Sequence, residues 1–125
     1  MKENDVAKEI VDAAFKIHTR LGAGLLESVY EAVMAYELRK RGLIFERQKP
    51  IRVVYEGLDL GEGFRADFIV EDLVIIELKS VEVVAPVHKK QLLTYLRLTN
   101  KHLGLLINFN TVLIKNGITR IANNL

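Results

Sequence analysis

The stretch Leu73-Val74-Ile75-Ile76-Glu77-Leu78-Lys79 decides the fold class of this chain. Its apolar run is typical of a strand that is buried on both faces of a sheet. Such a strand has no ordinary place for a carboxylate and an ammonium two residues apart, as at Glu77 and Lys79. Because residues two apart in a strand point to the same face, both charges project together, away from Leu78. The pair therefore lies either at the solvated end of a strand or in a site that the strand helps to build.

The composition indicates one soluble domain whose bulk charge predicts no partner. The 125 residues are enough for a single hydrophobic core, so we treat residues 1–125 as one domain. Lys and Arg outnumber Asp and Glu by 18 to 16, a net charge of +2, so any electropositive surface must come from the distribution of charges. The absence of cysteine excludes disulfides, thiolate nucleophiles and zinc–thiolate sites. With no signal peptide and no membrane-spanning run, we expect a cytoplasmic protein without a membrane partner.

Apolar periodicity predicts two helices, three or four strands, a third helix and two or three further strands. The predicted helices cover 4–21, 25–41 and 87–99. The predicted strands cover 43–45 and 51–55 (separated by Pro50), 64–70, 73–79, 103–109, and a closing pair at 111–115 and 117–121. This order, written ααβββαββ, predicts an α/β fold with a mixed β-sheet flanked by helices.

Asp67 lies in the strand before Glu77 and could stand beside it. A tight turn at Glu71-Asp72 would place Asp67 opposite Ile76, and a shift of one residue decides whether the two carboxylates share a face. Neighbouring carboxylates repel unless a cation separates them, and magnesium prefers such oxygen ligands. A metal held there could activate water for attack on a phosphodiester, with Lys79 orienting or deprotonating that water. The spacing alone also fits a surface ion pair of little consequence.

Glu27 falls in the first turn of the second predicted helix, within Gly24-Leu25-Leu26-Glu27-Ser28-Val29-Tyr30. One reading is helix capping, with Ser28 and Glu31 forming a Ser-x-x-Glu box. The other makes Glu27 a third carboxylate aimed at the metal, with Tyr30 one turn along the same face.

Gln91 and Tyr95 are four residues apart on the third predicted helix and so share one of its faces. They could form a half-buried polar pair at the edge of the core or belong to a site.

Four segments in this order resemble the GxxExxY family, a branch of the PD-(D/E)xK nuclease superfamily. They are Gly24-Leu25-Leu26-Glu27-Ser28-Val29-Tyr30, Asp67…Glu77-Leu78-Lys79, Gln91-Leu92-Leu93-Thr94-Tyr95 and Gly104-Leu105-Leu106-Ile107-Asn108-Phe109. The similarity extends over most of the chain, from about Ile10 to the Gly117-Ile118-Thr119-Arg120 tail. The chain departs from the superfamily pattern at Ala66, where the name-giving motif has proline.

The resemblance implies a restriction-endonuclease-like core with a magnesium site, in which manganese could replace magnesium. Asp67 and Glu77 would be the metal ligands, and Lys79 the catalytic lysine. Glu27 would be an additional ligand or a contact to metal-bound water.

The resemblance also implies a set of residues that support the site or contact DNA. Gln91 and Tyr95 match a Gln-x-x-x-Tyr element found near the active site of related branches, and Tyr30, Arg65 and Lys90 are further candidates. Basic residues in or beside the motif segments could receive phosphates or could form a solvated face; they are Arg65, Lys79, His88, Lys89 and Lys90.

Our leading hypothesis is a metal-dependent nuclease that hydrolyses phosphodiester bonds in DNA. The alternative is a catalytically silent nuclease-fold module that binds nucleic acid or a protein partner, since the chain has little beyond the core. A third option is a dimerising scaffold with no ligand. Small nucleases often use a second copy to reach both strands, so a homodimer would fit the nuclease hypothesis too.

Overall fold

The computed structural model describes all 125 residues, as three α-helices packed on a five-stranded mixed sheet. The helices are α1 (Glu3–Leu21), α2 (Glu27–Lys40) and α3 (Pro86–Thr99). The strands are β1 (Phe45–Tyr55), β2 (Leu58–Val70), β3 (Val74–Lys79), β4 (Leu103–Asn108) and β5 (Ile118–Ala122). Neighbours in the sheet follow chain order, and only β3 and β4 are parallel. The α/β fold and the order ααβββαββ are confirmed.

β3 is the central strand of three layers, because helices cover both of its faces. Val74, Ile76 and Leu78 belong to the core cluster formed with α1 and α2. Ile75 belongs to a second cluster formed with α3. Since side chains alternate along a strand, Glu77 shares the α3 face with Ile75. The strand therefore delivers a carboxylate into the layer between the sheet and α3.

Two predicted strand assignments are wrong. Pro50 does not separate two strands but lies inside β1. β1 is an edge strand, and its outer side has no neighbouring strand to which a backbone N–H could donate, so a proline is tolerated there. Residues 111–115 do not form a strand. The chain instead reverses direction through a 3-10 helix, Ile114–Asn116, and the buried Ile114 anchors that turn in the core on the α1 side.

The hairpin of β1 and β2 extends beyond the rest of the sheet. Its turn residues Glu56 and Gly57 both have positive φ values, 50° and 81°, as a two-residue type I′ turn requires. β2 pairs with β3 only from Phe68 to Val70, so the remainder of the hairpin projects past this ladder. Asp67 stands at the point where the two strands part.

None of the helices combines the length and apolarity needed to cross a bilayer.

Candidate active site

A cavity of about 160 Å³ between the sheet and α3 holds most of the predicted site residues. Its lining residues are Arg65, Asp67, Glu77, Lys79, His88, Gln91, Tyr95 and Leu106. Since a liquid water molecule occupies about 30 Å³, the cavity has room for a few waters or for one hydrated ion or phosphate group. β2, β3, β4 and α3 each contribute to its wall.

Asp67 and Glu77 lie level with each other on neighbouring strands, so the predicted register is wrong by one residue. The observed pairs are Phe68–Ile76, Ile69–Ile75 and Val70–Val74. Continuing this register places Asp67 beside Glu77 rather than Ile76. The cause is the turn, which contains three residues between Val70 and Val74 instead of the two assumed. The register therefore brings both carboxylates to one cavity.

Hydrogen bonds hold the Asp67 side chain in place. Its carboxylate accepts a bond from β3 at the point where the backbone pairing of β2 with β3 has ended. The Leu78 backbone N–H donates to Asp67 Oδ2 at 2.8 Å, where a β2 carbonyl would otherwise accept. Gln48 Nε2 donates to Asp67 Oδ1 at 3.2 Å and to Glu31 Oε1 at 2.7 Å. Gln48 itself adopts a left-handed backbone, with φ 52°. These contacts fix the orientation of the Asp67 carboxylate.

Glu77 is a buried carboxyl group without enough hydrogen bonds. Its exposure is 9%, and its Oε1 atom has no hydrogen-bond partner within the protein. Burial, followed by the charge of the neighbouring Asp67, raises the pKa of Glu77 to about 9. An unpaired buried oxygen is costly, so packing against the protein alone does not explain why a carboxyl group lies here. At neutral pH this carboxyl retains a proton unless a cation takes its place.

The pair Asp67 and Glu77 fits a hard divalent cation. Both supply oxygen donors, and Glu77 Oε1 is an oxygen that the protein leaves unused. No three Asp, Glu or His side chains come close enough together to hold a metal ion by themselves. Magnesium needs no third protein ligand, because it typically binds one or two carboxylates and keeps several waters.

Lys79 is the last residue of β3 and projects into the same cavity as Glu77. Its ammonium forms no salt bridge. Burial raises the pKa of both Glu77 and Glu27, and the Lys79 charge opposes that rise at both carboxylates. The chain beyond it is fixed by the buried Asn108, whose side chain accepts from the Val81 N–H at 3.1 Å and donates to the Val81 carbonyl at 2.9 Å. A free cation thus stands beside the two carboxylates.

The chain was also compared with known protein families. A model of the PD-(D/E)XK nuclease superfamily matches residues 4–121, nearly the whole chain. The chain belongs to the PD-(D/E)XK nuclease superfamily. Nucleases of this superfamily generally use divalent metals, in agreement with the paired oxygen donors. Searches of curated proteins and of solved structures found no match.

In this PD-(D/E)XK domain Glu27 lies at the first position of α2, exposed and outside the cavity lining. Partial desolvation raises the pKa of Glu27, while the Lys79 charge opposes that rise. The capping reading is wrong, because Leu26 is the N-cap residue and no side chain caps the helix. Ser28 lies inside the helix, and Glu31 accepts a hydrogen bond from Gln48. Glu27 is thus an acid at the rim, within electrostatic range of Lys79.

Tyr30 is fully buried and fastens the loop between α1 and α2. Its hydroxyl donates to the Gly22 carbonyl at 2.6 Å and accepts from the Leu25 N–H at 3.2 Å, while its ring stacks on Phe109 at 4.4 Å. The Ser80 hydroxyl, just after β3, donates to the Leu25 carbonyl at 2.6 Å. The structure therefore places Tyr30 where it supports the loop before Glu27, and its burial leaves no surface for DNA.

Gln91 and Tyr95 line the cavity from the α3 side, on the helix face that the spacing predicts. The Tyr95 ring stacks on Phe64 of β2, with centroids 3.7 Å apart and planes 3° apart. Burial, then the charges of Glu77 and Asp67, raise the pKa of the Tyr95 hydroxyl. Gln91 is exposed and makes no hydrogen bond to another residue, so its amide is not engaged within the protein.

Of the two further candidates, Arg65 lies at the site and Lys90 lies outside it. Arg65 lines the cavity, and its Nε donates to Glu62 Oε1 at 2.6 Å. Lys90 is exposed on α3 and does not line the cavity.

Two residues at the site were not predicted as part of it. Gln48 orients Asp67, and Asn108 holds the loop after Lys79. No sequence signal marks either of them, because their roles depend on a left-handed edge-strand backbone and on a parallel neighbour distant in sequence. His88, predicted only as a basic residue that could receive phosphates or form a solvated face, lines the cavity.

Proposed function

We propose that the protein is a metal-dependent nuclease of the GxxExxY branch that hydrolyses phosphodiester bonds in DNA. The observation that carries this proposal is the single cavity shared by Asp67, Glu77 and Lys79. Three larger surface hollows exist, but none is lined by a residue with a buried, unpaired side-chain atom. Only the cavity at β3 combines two carboxylates with a free ammonium.

In this proposal Asp67 and Glu77 would hold the cation, magnesium or manganese, and Glu27 would assist from the rim of the cavity. The bound cation supplies charge neutralisation at the phosphate and a more acidic water. The Lys79 ammonium orients the attacking water and stabilises negative charge on the phosphate oxygens. The water oxygen forms a new bond to phosphorus while the bond to the leaving sugar oxygen breaks. The attacking water gives up a proton to solvent, and the leaving oxygen takes a proton from solvent to become a hydroxyl.

The proposed substrate side of the site is the wall formed by α3 and Arg65. Gln91 offers an exposed amide there, and Arg65 and Lys90 are proposed to receive phosphates of the DNA backbone. A second copy of the chain would let the enzyme cut both strands of a duplex.

The test is cleavage of labelled substrates by the purified protein with MgCl₂ or MnCl₂. The substrates are single-stranded, duplex and branched DNA, together with RNA. We expect wild type to cut DNA, and Lys79→Ala and Asp67→Asn each to lower the rate by at least about 100-fold. Circular dichroism and thermal unfolding check that both variants fold. Lys115→Ala, at an exposed lysine of the 3-10 helix, is the matched control and should cut like wild type.

The catalytic proposal fails if wild type cuts none of these substrates or if Lys79→Ala cuts as fast as Lys115→Ala. Titration calorimetry then separates the enzyme from a silent module. A magnesium or manganese site that disappears in Glu77→Gln supports the enzyme. DNA binding that ignores both metal and this substitution supports the module.

A further inference from the structure

The hairpin of β1 and β2 ends in an exposed apolar tip. Beyond Ile51 and Phe64, which still pack against the core on the α3 side, residues 52–63 pair only with each other and form an arm that projects past the sheet. Four large apolar side chains of the arm are 61–64% exposed: Val54, Tyr55, Leu58 and Leu60. A two-stranded ribbon has little stability by itself in water, and a contiguous exposed apolar patch marks an interaction site. The arm is therefore a candidate contact surface.

The charge of the arm indicates which kind of partner it fits. It carries one basic residue, Arg52, and three acidic residues, Glu56, Asp59 and Glu62, for a net charge of −2. Arg52 Nη2 lies 2.9 Å from Asp59 Oδ2, and Glu62 pairs with Arg65 just outside the arm, whereas Glu56 at the turn forms no salt bridge. Such a surface repels DNA, which is a polyanion. The arm therefore fits a protein surface that is both apolar and basic.

The groove between α1 and α2, which we call the α1–α2 groove, has this character. Its volume is about 240 Å³, and half of its eight lining residues are apolar, including the exposed Leu21 and Tyr36. Three of the others are the cations Lys16, Arg20 and Lys40. Interfaces with DNA are more polar than protein–protein interfaces and much more positively charged, so this mixed lining favours a protein partner.

Two cations of the α1–α2 groove have no carboxylate partner within the chain. The buried Glu37 lies 3.2 Å from the Lys16 ammonium and 3.5 Å from the Arg41 guanidinium. Arg20 and Lys40 form no salt bridge. The neighbouring Lys16 side chain lowers the pKa of Lys40, because like charges repel. A carboxylate from a partner would relieve this repulsion, and the turn of the arm carries one.

The arm points away from the α1–α2 groove of its own chain. β1 begins beside the end of α2, where the Arg39 guanidinium lies 5.4 Å from the centroid of the Phe45 ring, and it runs back along α2 to Gln48, which donates to Glu31. Tyr55 is seven residues further on, about 23 Å at about 3.3 Å per residue. The groove lies beside the second half of α2, so arm and groove are at opposite ends of the molecule. Two copies side by side in opposite directions bring each arm to the other's groove, and this arrangement closes as a two-fold dimer.

We propose that the arm of one copy docks in the α1–α2 groove of a second copy, and that two reciprocal contacts of this kind form a dimer. Tyr55 and Leu58 are paired across the hairpin, so they share one of its faces, and this face covers Leu21 and Tyr36 of the groove. The Glu56 carboxylate between them meets the unpaired cations. The inference goes beyond the proposed function, because arm and groove lie outside the catalytic cavity and their contact requires no cleavage.

The test is the Kd of the dimer, measured by sedimentation velocity on the full chain. We expect Glu56→Lys and Lys40→Glu each to raise Kd at least about tenfold, or about 1.4 kcal/mol, because each brings like charges together at both contacts. Mixing the two variants should restore the wild-type affinity, because opposite charges then meet at both contacts. Lys8→Glu, the same charge change at an exposed lysine of α1 outside the groove, is the control and should change Kd less than about threefold.

Cross-linking provides a second measurement that does not depend on charge and that decides if a charge variant does not fold. The chain has no cysteine, so Leu58→Cys and Tyr36→Cys each introduce a single thiol. Under a mild oxidant, a mixture of these two variants should form a disulfide-linked pair with one chain of each. Leu58→Cys mixed with Lys8→Cys is the control and should stay unlinked.

The inference is overturned if wild type stays monomeric at millimolar concentration, if the mixed charge variants bind no better than either alone, or if Leu58→Cys links to Lys8→Cys as readily as to Tyr36→Cys. It is also overturned if Lys40→Glu weakens DNA binding and leaves sedimentation unchanged, a result that assigns the groove to nucleic acid. A wild type that dimerises through these contacts and cuts no substrate would sink the proposed function alone. A monomeric wild type that cuts DNA would sink the dimer alone.

Discussion

At the scale of single residues, Glu77 makes the metal-free protein less stable as pH rises. Its pKa is about 9 in the folded chain against an ordinary value near 4.5, so the folded state binds more protons between those two pH values. The stability of the fold therefore falls as pH rises from about 4.5 to about 9. The Glu77→Gln substitution removes this ionisable group, and with it this dependence of stability on pH. We expect it to raise Tm at pH 8 without metal by roughly 5 °C or more, because each pKa unit is worth about 1.4 kcal/mol.

The pH dependence supplies the check on that prediction. Thermal unfolding of wild type and Glu77→Gln, in buffers containing a chelator, should give curves that converge near pH 4 and separate towards pH 8. Glu82→Gln removes an exposed carboxylate shortly after β3 and should follow wild type throughout. A Glu77→Gln variant less stable than wild type at pH 8 would show that the carboxyl group is satisfied in the folded protein.

At the scale of elements, Gly104 of β4 sets how closely α3 approaches the sheet. A Cβ at this position would lie 2.8–2.9 Å from the side-chain carbons of Leu92, so Gly104→Ala must push Leu92 or α3 away. We expect a loss of about 1–3 kcal/mol in urea unfolding, together with slower cleavage, because α3 carries His88 and Gln91 to the cavity.

A double-mutant cycle isolates this contact. In a Leu92→Ala background the Gly104→Ala change should cost almost nothing, because the obstructing side chain is gone. Leu96→Ala, one turn further along α3 in the same cluster, is the matched background in which the full cost should remain. Equal costs in both backgrounds would show that α3 is not positioned by this contact.

The fold could be predicted from the sequence wherever a period or a run of apolar residues was decisive. β3, β4 and the three helices follow directly from such patterns. The wrong strand assignments and the wrong register arise where the conformation of one or a few backbone residues determines the structure. Pro50 is tolerated because β1 is an edge strand, and a three-residue turn, with Glu71 and Asp72 at φ 53° and 56°, shifts the register of Asp67.

The candidate site was predictable only in part, for a similar reason. Spacing in a strand puts Glu77 and Lys79 on one face, and spacing in a helix does the same for Gln91 and Tyr95. Gln48 reaches Asp67 only because its backbone is left-handed and its strand is an immediate neighbour. No local pattern carries that information.

At the scale of the whole molecule, metal binding should appear as added stability of the folded chain. An ion at tenfold its Kd adds about 1.4 kcal/mol, which for a domain of this size raises Tm by roughly 5 °C. Because the ion displaces the Glu77 proton, the rise should be larger at pH 8 than at pH 6. Thermal unfolding in MgCl₂ or MnCl₂, against NaCl of equal ionic strength, measures it. Glu82→Gln should retain the rise, and a rise that persists in both Glu77→Gln and Asp67→Asn would place the ion elsewhere.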